Sequence, residues 1–105
     1  MLPDLRVGST TDGRTLTLDL DGVDHRGVFI PPGVAHGFAA LTDVTITYLV
    51  DGYYNPADEL GVAWDDPALK ADWRLSEPIL SDRDRKNPLR ADIPAGRRPY
   101  WGLRT

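Results

Sequence analysis

The chain has 105 residues, 41% apolar and 27% charged, which suits one globular domain, so residues 1–105 are read as a single domain. Its net charge is −4 with twelve largely scattered basic residues, a balance that argues against nucleic acid as a partner. No cysteine is present, which excludes disulfides, thiolate metal sites and a cysteine nucleophile, and no apolar run approaches the roughly 18 residues of a membrane span.

The start, Met1-Leu2-Pro3-Asp4-Leu5-Arg6, lacks the basic flank and long apolar stretch of a secretory signal, so the expected location is cytoplasmic, with no membrane partner. Residues 14–20 alternate, with Leu16, Leu18 and Leu20 on one face and Thr15, Thr17 and Asp19 on the other, the period of a half-buried strand. Asp21-Gly22 marks a turn. A second strand is predicted over 27–30, a turn at Pro31-Pro32-Gly33, a third strand over 34–41 and a fourth over 44–50. Four short strands punctuated by turns predict an antiparallel sandwich or barrel. From Tyr53 to Trp73 proline, aspartate and tryptophan dominate, which predicts a loop-rich arm with one helical turn at 67–71. Ser81, followed by Asp82 and Asp84, predicts a short helix that Ser81 caps and Pro88 stops. The tail from Ala91 is rich in arginine, proline and aromatic residues and reads as a packing strand or dimer contact.

Chemistry-bearing residues are few. His25 and His36 lie on different predicted strands without the alternating histidine pair and added carboxylate that a barrel metal site needs, so no metal is expected. No serine sits in a Gly-x-Ser-x-Gly turn and no phosphate-binding glycine loop is present. What remains is His36, Tyr48 on the next strand, and the acidic and basic side chains around Asp84. A phenol facing a barrel mouth can donate a proton, and a carboxylate can hold an imidazole in one tautomer. On residue type alone, His36 also reads as a core or turn-capping histidine, Tyr48 as an amphipathic core residue beside Val44, Ile46 and Val50, and Asp84 as a helix-terminus carboxylate.

Taken together and in order, these residues carry a resemblance. The run Ile30-Pro31-Pro32-Gly33-Val34-Ala35-His36-Gly37-Phe38, then Tyr48-Leu49, Tyr53-Tyr54-Asn55-Pro56 with Glu59, Trp64-Asp65-Asp66-Pro67-Ala68, Asp72-Trp73, Pro78-Ile79-Leu80-Ser81 and Asp84 with Pro88 resembles the carboxyl-terminal half of dTDP-4-dehydrorhamnose 3,5-epimerases, over residues 4–90. The resemblance implies an all-β, cupin-like jelly-roll barrel, truncated, with the loop-rich arm and short helix at its C-terminal side. It also implies a cofactor-independent isomerase, usually a homodimer, that acts on a dTDP-linked 4-keto sugar in deoxysugar biosynthesis. By position, Tyr48 falls on the family's proton-donating tyrosine and Asp84 on the aspartate that orients its basic histidine. His36, Tyr54, Glu59 and Arg83 fall on residues that line the sugar-nucleotide pocket.

The family's basic histidine, in an Arg-Gly-x-His-type segment, and the lysine that follows it have no match here, so the N-terminal strands are expected to be lacking. His25-Arg26-Gly27 runs in the opposite order and is not a replacement. The alternative expectation is a homologue that binds a dTDP-sugar without converting it, or one subunit of a larger assembly.

Overall fold

The computed structural model describes residues 1–53, 55 and 60–101. Its regular elements are short. Strand β1 (Leu2–Pro3) pairs antiparallel with β2 (Thr15–Leu16), setting Leu2 opposite Leu16 and Pro3 opposite Thr15. A third segment extends this sheet without forming a full strand: Asp4 bridges antiparallel to Val34, Ala35 N–H donates to Pro3 O at 3.0 Å, and Gly37 N–H donates to Met1 O at 3.1 Å. The result is a small antiparallel sheet with few helices, in a chain whose other described residues form turns, bends and irregular segments.

The turns form as their residues dictate. Asp21 Oδ1 accepts from Val23 N–H and Asp24 N–H, both at 2.9 Å, closing the turn at Gly22. Val34 N–H donates to Pro31 O at 3.2 Å, closing the turn at Gly33, whose φ of +89° suits glycine. A β-carbon at 33 would also lie 2.5 Å from Arg6 Cγ. In the arm, a 3-10 turn (Pro67–Leu69) is capped by Asp66, whose side chain accepts from Ala68 N–H, and Lys70 ends it in a left-handed conformation. Helix α1 (Asp82–Lys86) has Ser81 as its N-cap, with Oγ accepting from Asp84 N–H at 3.1 Å.

The sheet predicted from alternation is only partly realised. Of the strands expected over 14–20, 27–30, 34–41 and 44–50, only Thr15–Leu16 forms ladder pairs, and only 34–37 is bonded to β1. The side chains carry the period of a strand, but an extended segment becomes one only when its N–H and C=O groups find a neighbour. Among the described residues those neighbours are lacking, so no jelly-roll barrel closes. Leu16, Phe29, Val44 and Leu49 are exposed, Leu49 by 98%. The accessible surface is 8656 Å², where a folded monomer of 11.6 kDa has about 5,800 Å².

The packed part lies where the start of the chain meets its tail. Leu5, Ala63, Leu69 and Ile93 are its buried apolar residues. Asp4, 4% exposed, accepts from the Arg6 backbone and guanidinium, Ser9 Oγ and Thr11 Oγ1. The Arg6 guanidinium, with the two hydroxyls and the backbone, outweighs burial and holds the Asp4 carboxyl far below the usual carboxylate range. Asp12 joins Arg90 at 2.7 Å and Arg98 at 2.5 Å. Burial pushes the Asp12 carboxyl up, but these two guanidiniums prevail and lower it. The tail docks here: Val7 bridges parallel to Tyr100, and Arg6 stacks 4.5 Å over Trp101. Of the tail expected from Ala91 on to be a packing strand or a dimer contact, residues 98–101 lie against the start of the chain.

Candidate functional site

His36 is placed by the Pro31-Pro32-Gly33 turn, which folds the chain back along β1, so that His36 sits in the chain between Ala35 and Gly37, whose backbone N–H groups bond to Pro3 and Met1. Tyr48 lies on the extended segment that follows. Its ring centroid is 6.5 Å from that of His36, with the planes tilted by 50°. At 57% exposed, Tyr48 is not the core residue that its apolar neighbours suggested. His36 is exposed as well, and neither of its ring nitrogens is hydrogen-bonded among the described residues.

Arg83 and Asp84 project from α1, which is docked by its C-terminal end. Asn87 packs against Gly61 so closely that a β-carbon there would collide with its side chain, and Ala63 N–H donates to Pro88 O at 2.7 Å. Asp84 is an exposed first-turn carboxylate, as its position after Ser81 predicts. No imidazole is hydrogen-bonded to it among the described residues; His25 sits in an exposed turn with a left-handed φ of 50°.

His36, Tyr48, Arg83 and Asp84 all line one cleft of about 1620 Å³, floored in part by Trp64 and Trp73. That volume exceeds the roughly 300–1,000 Å³ of an enclosed small-molecule pocket, so the site is an open trough. Tyr54 and Glu59, also expected here, lie outside the described residues. Among the described residues no three His, Cys, Asp or Glu side chains converge as metal ligands do. Asn87 carries no signal in the sequence, and Trp73 enters there only as part of the Asp72-Trp73 motif, with no role at the site. No local pattern marks a role for either one, although Asp66-Pro67 carries the signature of a capped turn.

A phenol facing an imidazole on one wall, with a guanidinium and a carboxylate on a helix lining the same trough, defines a site suited to proton transfer on an anionic ligand. Residues 1–92 match the family model described as dTDP-4-dehydrorhamnose 3,5-epimerase, and the chain belongs to that family. It is 46% identical over 90 residues to a dTDP-4-dehydrorhamnose 3-epimerase of Streptomyces niveus, covering 85% of this chain and 44% of that protein. It is 43% identical over 103 residues to a dTDP-4-dehydrorhamnose 3,5-epimerase of Mycobacterium tuberculosis (strain CDC 1551 / Oshkosh), covering 93% and 51%. A Pseudomonas aeruginosa protein named dTDP-4-dehydrorhamnose 3,5-epimerase is 38% identical over 91 residues, covering 85% and 50%. The chain thus spans about half the length of these curated relatives. No solved structure matches it. No helix among the described residues is long and apolar enough to cross a membrane.

The isolated position of Asp84 carries a prediction. A carboxylate with no imidazole to orient has no task in proton transfer, so if the chain exchanges hydrogen at a keto sugar, Asp84→Asn should change that exchange by no more than about twofold, the size of an ordinary surface change. A much larger loss would show that a histidine reaches Asp84 in solution.

Proposed function

We propose that the chain carries the proton-returning wall of a dTDP-4-dehydrorhamnose 3,5-epimerase site and acts on a dTDP-linked 4-keto-6-deoxy sugar. The observation behind this is the facing pair His36 and Tyr48, 6.5 Å apart between ring centroids, in the cleft that also takes Arg83 and Asp84. The family's basic histidine has no match in this chain, so the base that takes the hydrogen from a carbon beside the ketone comes from a partner chain that completes the site; the C–H electron pair becomes the enolate, and the Tyr48 phenol returns a proton to the opposite face. The base's proton and the phenolate balance on return to solvent, and no electrons leave the sugar. Arg83 suits the pyrophosphate, and His36, with Tyr54 and Glu59, the sugar and nucleoside. The orienting role of Asp84 requires an imidazole partner. The cytoplasm, where nucleotide sugars are made, is the compartment this reading implies.

Calorimetry with dTDP alone tests the pocket. Saturable heat that is lost in Arg83→Ala supports it; no heat at any concentration contradicts it.

A second reading is favoured by the exposed apolar segments around Phe29 and Leu49. On this reading the segments become strands only when neighbours from a homodimer or a larger assembly pair with them and close a cupin-like jelly roll. Light scattering should then give a mass above 11.6 kDa at micromolar concentration. A monomer across that range, with the extended segments still unprotected from amide exchange, would exclude self-pairing.

A further inference from the structure

We propose that Trp73 is a positioning residue that holds the His36 wall of the cleft against Tyr48, an inference that rests on reading His36 as a pocket residue. His36 makes no hydrogen bond among the described residues, so nothing attached to the imidazole itself fixes its direction. Its orientation depends on the backbone that carries it.

That backbone is held from two sides. On one, Ala35 and Gly37 donate to the carbonyls of Pro3 and Met1 at 3.0 and 3.1 Å. These bonds set the register of 34–37 on β1. On the other, the indole of Trp73 stands over Gly37, and a β-carbon at 37 would lie 3.2 Å from Trp73 Cη2, tighter than ordinary van der Waals contact. The indole is pinned in turn: Nε1–H donates to the Trp64 carbonyl at 2.8 Å. Trp64 adjoins the turn that Asp66 caps, and Asp66 is itself buried, with Oδ2 accepting from Arg90 N–H at 2.6 Å. A chain of fixed groups therefore runs from the packed corner through Trp64 and Trp73 to Gly37, one residue from the imidazole. Glycine at 37 lets the indole approach.

NMR cross-relaxation between the His36 and Tyr48 ring protons reads this directly. The chain has two histidines, so a His25→Gln background leaves His36 as the one imidazole observed. The cross-peak should be present in that background, lost in Trp73→Leu, and partly recovered in Trp73→Phe, which restores a ring against Gly37 without the Nε1 anchor. Gly37→Ala, which pushes the indole away, should weaken it as well. An undiminished cross-peak in Trp73→Leu, with the dispersed amides of the Asp4 corner intact, overturns the proposal. Should Trp73→Leu fail to fold, an undiminished cross-peak in Gly37→Ala does the same. Failure of dTDP to bind the unaltered chain refutes the pocket reading and leaves the cross-peak result standing, so the two failures are distinguishable.

Discussion

Tyr48→Phe should reduce hydrogen exchange at the carbons beside the sugar ketone by about 10²–10⁴-fold, the usual worth of a positioned proton donor, while leaving dTDP affinity unchanged. The ring is kept, so its contact with His36 survives and only the hydroxyl is lost. Because Tyr48 is 57% exposed, its removal disturbs no core packing, and the variant should be as stable as the parent. The split between exchange and binding is the informative part. Equal loss of both would mean that Tyr48 holds the ligand rather than delivering a proton. The comparison is made by titrating dTDP calorimetrically and following exchange by NMR on the same two proteins.

Asp4→Ala should cost about 3–5 kcal/mol, because it strips a buried carboxylate from the Arg6 guanidinium and orphans the Ser9 and Thr11 hydroxyls. Against the 5–15 kcal/mol that typically holds a domain together, that is enough to unfold much of a chain with so small a core. The same group sets an acid limit. The Asp4 carboxyl is depressed in the folded chain from an ordinary value of 3.8, so its stabilisation is fully present above that value. It is lost as the pH falls through 3.8 toward the folded value, and Asp12, also depressed, adds a loss of the same sign. Urea unfolding at pH 6 and pH 3 should show the parent losing more stability than Asp4→Asn. Equal losses would mean that this corner does not govern acid unfolding.

Local chemistry was legible in the sequence wherever one residue acts on its own neighbours. Ser81 caps α1, Asp21 closes its turn, and the Pro31-Pro32-Gly33 turn reverses the chain, each through bonds within three residues. Pairing was not legible. Val44, Ile46 and Tyr48 alternate as a strand should, but alternation says which face is apolar and nothing about which backbone lies alongside. The Asp12, Arg90 and Arg98 cluster joins residues 78 and 86 positions apart, a distance over which charge spacing carries no information. For the site, His36, Tyr48, Arg83 and Asp84, which the resemblance assigns to a sugar-nucleotide pocket, line one cleft of the fold, while the Trp73 contact with Gly37 is a product of tertiary folding alone.

In the function proposed above, Tyr48 is the proton donor to a dTDP-linked keto sugar. The most direct test is deuterium wash-in: the purified chain is incubated with dTDP-4-dehydro-6-deoxy-glucose in heavy water, and the carbons beside the ketone are followed by NMR. Deuterium should enter at one or both carbons faster than in a protein-free control and slow to that control in Tyr48→Phe. Exchange no faster than the control, with dTDP still bound, would contradict the claim and leave a family fold that binds the nucleotide sugar without acting on it.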